Sequence, residues 1–337
     1  MFRWMDLKVD FAFKQIFGKK GNEEILRAFL NAALKHSTGK KIASVEILNP
    51  EFSRDHPEDK ASVLDIHART EQGEHINIEI QLANKFDMEK RTLYYWSRIY
   101  AAQLRRGMPY TELARTITIN ILNFRFLKET EKYHSTFHLY EDQEHFLLTD
   151  MLEIHFMEIP KLMAKWERQA VNPQDNDLER WLLLLEADEH EEIRKELEVI
   201  AMKDPMMKRV FEEWEDLSRD PRKWIEYESR RKAILDELAF VKEMEIRQQR
   251  AEQQAREKGL AEGLEKGLAE GLEKGLAEGL EKGRKEGRKE GRKEGREEGR
   301  MEVARNLLGM NMPVDVVAKA TGLSVEQVVT LKKQLQS

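Results

Sequence analysis

The chain has 337 residues, no cysteine, 36% charged residues and a formal net charge of −6. Without cysteine it can build no disulfide, thiolate nucleophile or cysteine-ligated zinc site, and its acidic balance gives no general affinity for nucleic acid, so any basic surface must be local. No apolar run approaches the ~20 residues of a membrane span, and the opening MFRWMDLKVD lacks a signal-peptide core; a soluble, cytoplasmic protein of two or three domains is expected.

Met5 to Phe17 carries apolar residues at Val9, Phe13, Ile16 and Phe17, the spacing of a short amphipathic helix with Asp10 and Lys14 on neighbouring positions. Gly18 and Gly21 punctuate it. Asn22 is placed to cap a second helix, with Glu23 and Glu24 in its first turn and Ile25, Leu26, Phe29, Leu30, Ala33 and Leu34 along it. Ile42 to Phe52 reads as a strand, with Pro50 near its end.

The stretch Val63 to Leu82, VLDIHARTEQGEHINIEIQL, alternates apolar and polar residues on both sides of a glycine-containing turn, which predicts a β-hairpin. Asp65, His67 and Arg69 share one face of the first strand; His75, Asn77, Glu79 and Gln81 share one face of the second. A two-residue turn at Gln72-Gly73 sets Asp65 opposite Ile80 and mixes the faces. A three-residue loop, Glu71-Gln72-Gly73 with Gly73 left-handed, sets Asp65 opposite Glu79 and gathers the polar groups on one side. Carboxylates facing each other repel unless a cation lies between them or one is protonated. Two hard oxygen donors, completed by water and a phosphate, suit Mg²⁺ or Mn²⁺. His67 and His75 share this face and line the site rather than bind metal, because the hard-ligand set is already adequate.

A helix from about Phe86 to Arg106 follows, with Leu93, Trp96, Tyr100 and Leu104 in one arc as the expected core face. Arg91, Arg98 and Arg105 recur every seven residues, flanked by Tyr94 and Tyr95. Residues 85–106 hold six basic groups, Lys90 among them, against two acidic. A basic stripe with aromatic neighbours suits a phosphate backbone, and Lys90, Arg91, Tyr94, Arg98 and Arg105 are the candidate DNA contacts. Thr116 to Phe124 alternates as a strand, Thr136 to Tyr140 and Glu153 to Ile159 are two further candidates, and helices are expected at 178–187, 190–202, 205–217 and from Pro221 onward.

Asp65, thirteen residues and then Glu79-Ile80-Gln81 resemble the D…(D/E)-x-K signature of the PD-(D/E)XK nucleases, with Gln81 at the lysine position. Together with DFAFKQIFG at the N-terminus, the LRAFLNAAL helix and the YYWSRIYAAQLRRG helix, the hairpin strongly resembles the Rpn-type recombination-promoting nuclease and putative transposase family over roughly residues 1–240. That resemblance implies an α/β fold, a mixed sheet flanked by helices, and a magnesium-dependent bacterial DNA endonuclease associated with recombination or transposon-like activity; Gln81 matches the family's own variation. Asp65 and Glu79 are the expected metal ligands and catalytic pair. Gln81 is left to orient water or contact phosphate, and Lys14 or Lys90 to supply the charge it lacks. Asp10 is either a further acidic contributor or a helix-capping residue. The alternative is a nuclease-like protein that binds DNA, or assembles, without efficient cutting.

Glycine occupies every fourth position from 259 to 299, in GLAE, GLEK and then GRKE tetrads that carry no proline or serine. A helix is favoured over a flexible linker because the other residues are good helix formers. Its glycine row precesses by ~40° per tetrad, so a partner helix must wrap right-handedly, and a homo-oligomer through this region is expected. Residues 302–337 read as three short helices; Ser324 with Gln327 fits a capping box, and AKATGLSVEQVVTLKK resembles a resolvase-type helix-turn-helix whose second helix offers Gln327, Thr330, Lys332 and Lys333. The expected domains are a PD-(D/E)XK nuclease core over 1–165, a helical extension over 166–257, the glycine-tetrad helix or linker over 258–300 and the small module over 301–337.

Overall fold

The computed structural model describes residues 2–37, 39–51 and 64–336. The expected strand end at Phe52 and hairpin start at Val63 lie outside the described residues. The chain forms two compact units, Met1–Arg247 and Gln248–Ser337.

The first unit is built on a six-stranded mixed sheet, β1 (Val45–Leu48), β2 (Ile66–Thr70), β3 (His75–Gln81), β4 (Thr116–Leu122), β5 (His134–Tyr140) and β6 (Leu147–Glu158), in the order β1-β2-β3-β4-β6-β5. The β3–β4 and β4–β6 pairs are parallel and the others antiparallel. Ile66 pairs with Ile78, His67 with Asn77 and Arg69 with His75, the register of the three-residue loop. Gly73 closes that loop at φ 85°, a conformation that costs glycine little. Two strands differ from the sequence reading: β1 is confined to four residues, and β6 begins six residues before Glu153.

One sheet face carries Ile66, Ala68, Ile76, Ile78, Ile80, Ile117, Ile119 and Ile121, all buried in the main core. Helices α1 (Asp10–Phe17), α2 (Glu23–Ala33), α4 (Ile159–Trp166), α5 (Asp177–Leu184), α6 (Glu191–Ala201) and α7 (Pro205–Arg219) contribute to that core. Residues 5–9 are not helical: Met5 to Val9 run as a buried lead-in, pinned where the Trp214 indole N–H donates to the Met5 carbonyl at 2.8 Å. Asn22 departs from its expected role. Its side chain makes no bond to the start of α2 and instead donates to the Gln15 and Ile16 carbonyls, at 3.3 and 3.0 Å, satisfying the C-terminal end of α1.

Helix α3 (Met88–Ala102) covers the other face, and its buried side is Met88, Thr92 and Ile99, whereas Leu93 and Leu104 are exposed. The expected core arc fails because the sheet beneath is polar. Thr92 Oγ1 donates to Asn120 Oδ1 at 3.1 Å, the Trp96 indole N–H to the Thr116 carbonyl at 3.0 Å, and the Gln103 amide to Thr116 Oγ1 at 2.9 Å. Hydrogen bonding to buried sheet groups, as much as apolar burial, therefore fixes the rotation of α3. This is the mixed sheet flanked by helices that the resemblance implies.

Helix α8 runs from Pro221 to Gly309 and includes every glycine tetrad. Within the second unit, α9 (Val314–Thr321) and α10 (Val325–Gln336) close a small core of Ala304, Leu308, Val317, Ala318, Leu323, Val328 and Leu331. The turn between them rests on Gly322 at φ 69°, and the capping box forms: the Ser324 N–H donates to Gln327 Oε1 at 2.9 Å and the Gln327 N–H to Ser324 Oγ at 3.2 Å.

Candidate active site

Asp65 precedes β2 by one residue and Glu79 lies in β3, so the hairpin register brings them together on the α3 face. The Asp65 N–H donates to Glu79 Oε1 at 3.3 Å, and Asp65 Oδ2 accepts from the Ile80 N–H at 3.0 Å. Glu79 is 2% exposed. Burial, and next the charge of Asp65, push its carboxyl up to about 8 against the opposing pull of Arg91. The two carboxylates thus favour a proton, or another cation, between them at neutral pH.

Two cations approach from different elements. Lys14 Nζ of α1 stands 2.9 Å from Asp65 Oδ1 and 3.8 Å from Asp10 Oδ2. Gly18 lets α1 pass this close to β2: a Cβ there would lie 3.0 Å from Ile66 Cγ1. Arg91, in the first turn of α3, reaches back so that its Nη2 is 3.3 Å from Glu79 Oε2, and its guanidinium lies 5.3 Å from the Tyr95 ring centre. Arg91 therefore does not present itself outward with Arg105: its seven-residue spacing is shared with Arg98 and Arg105, but its side chain is 26% exposed and spent on Glu79. Tyr94 and Lys90 stay on the exposed side of α3.

A cavity of about 230 Å³ opens at this point, lined by Asp10, Asp65, Gln81, Lys85, Arg91, Arg230 and Glu237 together with apolar groups. Arg230 Nε lies 4.0 Å from Asp10 Oδ2, and Lys85 pairs with Glu237 of α8. Arg230 and Lys85 were not singled out by sequence spacing, since Arg230 joins the site from a helix that begins 140 residues after β3; the basic character of 85–106 was the one available hint for Lys85. His67 and His75 do not line this cavity; they bond each other at 3.1 Å, and burial and then the charge of His75 lower His67 to about 4.

The donor set suits a hard divalent cation. Asp10 Oδ1 is buried with no hydrogen-bond partner, aligned with a helix that already supplies Lys14, while Asp65 and Glu79 add carboxylate oxygens. Among the described residues, the trios of ligand atoms within 4.8 Å of one another lie elsewhere, at Glu186, Glu189 and His190 and at Asp6, Asp188 and Glu189. Those acids surround the buried Lys8, whose Nζ is 3.2 Å from Glu186 and hydrogen-bonded to the Leu185 carbonyl; the single lysine offsets only part of their charge, and burial pushes Asp188 up to about 7. A larger cavity of about 470 Å³ near Arg27, Asn31, Lys35 and Trp181 has two carboxylates, Asp177 and Asp204, and both are paired with Arg180.

The profile of a family described as PD-(D/E)XK nuclease family transposase matches residues 7–244, and the chain belongs to that family. No curated protein and no solved structure matches the chain. The matched range contains Asp10, Lys14, Asp65, Glu79, Gln81, Arg91 and Arg230 and stops short of the glycine tetrads. No helix among the described residues is long and apolar enough to cross a membrane.

Proposed function

We propose that this member of the PD-(D/E)XK nuclease family transposases is a divalent-metal-dependent DNA endonuclease, with Mg²⁺ or Mn²⁺ as the ion, acting in recombination or transposon-like rearrangement in the cytoplasm. The observation that carries the reading is the Asp65–Glu79 pair: two carboxylates in register on one sheet face, Glu79 almost wholly buried and Asp65 lining a cleft that Lys85, Arg91 and Arg230 also line. Asp65 and Glu79, with Asp10 beside them, are the groups that would hold the ion. When bound, such an ion polarises the scissile phosphoryl group and lowers the pKa of a coordinated water.

The chain's own residues supply the rest. Glu79 would have to release its proton to hold such an ion, which its raised carboxyl would make pH-dependent. Lys14 places a positive charge 2.9 Å from Asp65, the charge that neutral Gln81 does not bring. Gln81, lining the same cavity, orients water or a phosphate oxygen through its amide. Arg91, Lys85 and Arg230 stabilise phosphate charge from the rim. Lys90, Tyr94, Arg98 and Arg105 position the DNA backbone along α3. The GLAE and GLEK tetrads present leucines 260, 264, 268, 272, 276 and 280, each 66–76% exposed, beside glycines with open space around them, and self-association through α8 is part of the proposal.

A second reading, DNA holding without efficient cutting, is favoured by one feature: both carboxylates already carry a cationic partner. Supercoiled plasmid incubated with Mg²⁺, and separately with chelator, discriminates the two. Metal-dependent nicking that disappears in Asp65→Ala and Glu79→Ala while DNA affinity persists supports the endonuclease. Nicking that survives in Asp65→Ala removes it.

A further inference from the structure

The glycine tetrads change character at Gly283, where GLAE and GLEK give way to GRKE. On a helix advancing 100° per residue, Lys285, Lys289, Arg292, Lys293, Arg296 and Arg300 fall within about 100° of arc, while Glu286, Glu290, Glu294 and Glu298 turn progressively to the opposite side. A repeat with balanced charge thereby becomes a helix with one basic face. Lys285 is held by Glu281 at 2.6 Å, but among the described residues no ion pair engages Lys289, Arg292, Lys293, Arg296 or Arg300.

That basic face does not stand alone. In the second unit it forms, with Glu297 as the one acid among five cations, one wall of a cavity of about 690 Å³ whose other wall is the α9–α10 turn and the first turn of α10, through Gly322, Leu323 and Gln327. The guanidinium of Arg300 packs against the turn, 3.7 Å from where a Cβ on Gly322 would stand. Helix α10 has few cations of its own. The arginines that a helix-turn-helix-like module needs for a phosphate backbone come from α8.

We propose that this concave surface, the GRKE face of α8 with the α9–α10 turn, is a second nucleic-acid contact that takes duplex DNA by its phosphate backbone. Arg292, Arg296 and Arg300 recur every four residues, about 6 Å along the helix, a spacing at which successive guanidinium groups meet different phosphates. Gln327 at the start of α10 stands at the same cavity, with its Oε1 occupied by the cap and its amide N–H groups left to donate. The proposal shares with the endonuclease reading only the identity of the polyanion and does not require Asp65 or Glu79 to cut.

The test uses the full chain in chelator, so that binding is read without cleavage, and a fluorescent 30-base-pair DNA duplex titrated at several salt concentrations. Replacing Lys289, Arg292, Lys293 and Arg296 together by Gln should weaken binding at least tenfold and reduce the slope of log affinity against log salt by about three to four. A Lys289→Arg/Lys293→Arg variant should bind like the parent, which separates lost charge from lost fold. Replacing Lys258, Lys266, Lys274 and Lys282 by Gln removes as many charges from the earlier part of the helix and should leave the slope unchanged. An unchanged slope in the first variant, an equal loss in the third, or at least tenfold tighter binding of an RNA duplex of the same sequence overturns the proposal.

Discussion

Lys14 Nζ stands 2.9 Å from Asp65 Oδ1, joining the first helix of the chain to the residue that begins the central hairpin. This ion pair makes the N-terminal DFAFKQIF helix part of the site rather than only part of the core. Lys14→Ala should leave DNA affinity nearly intact and lower the plasmid-nicking rate constant by about 10²-fold, the scale of removing one preorganised charge donor. A fall in affinity with an unchanged rate constant would place Lys14 in ground-state binding instead.

Gly18 sets how closely that helix approaches β2. Gly18→Ala should cost about 1–3 kcal/mol in denaturant unfolding through overpacking against Ile66. Gly18→Ala combined with Ile66→Ala should be less destabilised than the two single effects summed, because the second change vacates the space the first one needs. Strict additivity would show that the contact does not limit the approach.

Arg91 counters the charge of Glu79. Arg91→Ala should therefore move the pH midpoint of metal-dependent nicking upward, since Glu79 loses the group that favours its ionised form. Arg98→Ala/Arg105→Ala should leave that midpoint in place, weaken binding to all sequences and lower the salt slope by up to about two. A midpoint unmoved in Arg91→Ala argues that Arg91 and Glu79 do not act together.

Stability should fall on both sides of neutrality in the absence of metal. His67 and His134 are lowered to about 4 and His155 to about 3, in each case chiefly by burial. Below about 6.5 the unfolded chain takes up protons that the folded chain refuses, so stability is lost as pH drops through that range. Glu79 acts with the opposite sign: raised to about 8, it holds a proton in the folded state that the unfolded state releases above about 4.5. Its contribution is lost as pH rises toward 8, by at most about 1.4 kcal/mol per pH unit. Thermal unfolding from pH 4 to 9 should show both limbs. Glu79→Gln should flatten part of the alkaline one, the remainder belonging to Asp188, which burial pushes up to about 7, and excess Mg²⁺ should do the same in the parent chain. An alkaline limb unchanged in Glu79→Gln assigns it to other groups.

The exposed leucine and glycine rows of α8 predict association. Sedimentation of the full chain and of a 1–255 truncation should give different subunit numbers, the truncation being the smaller assembly. Equal numbers would leave the repeat as an extended helix without a self-partner.

The hairpin register was legible because, of a two- and a three-residue loop, only the three-residue one sets Asp65 opposite Glu79 on the polar side. The rotation of α3 was not, because periodicity scores apolar residues, while Thr92, Trp96 and Gln103 are fixed by hydrogen bonds to Asn120 and Thr116 that no local pattern announces. The same helix shows why Arg91 was read with the outward stripe: its spacing from Arg98 and Arg105 is regular, and only the position of Glu79 on the neighbouring strand turns it inward. Asn22 illustrates a further limit. The residue type that caps a following helix can equally satisfy the preceding one, and the choice depends on how the chain folds back between α1 and α2. Arg230 meets Asp10 only through tertiary folding, 220 positions apart in sequence.

The tetrad repeat has a genetic corollary. Four residues advance an α-helix by about 6 Å and 40° beyond a full turn. Slippage during replication that added or removed one tetrad of the GLAE/GLEK type would preserve the reading frame and move everything after it along and around the helix axis by that step, relative to Gly259. About nine such events would restore the starting azimuth. The cations near the α9–α10 turn come from residues 289–300, all downstream of the leucine-bearing tetrads. Copy-number variation in the earlier tetrads would therefore change the reach and phase of that surface in discrete increments while leaving its composition untouched.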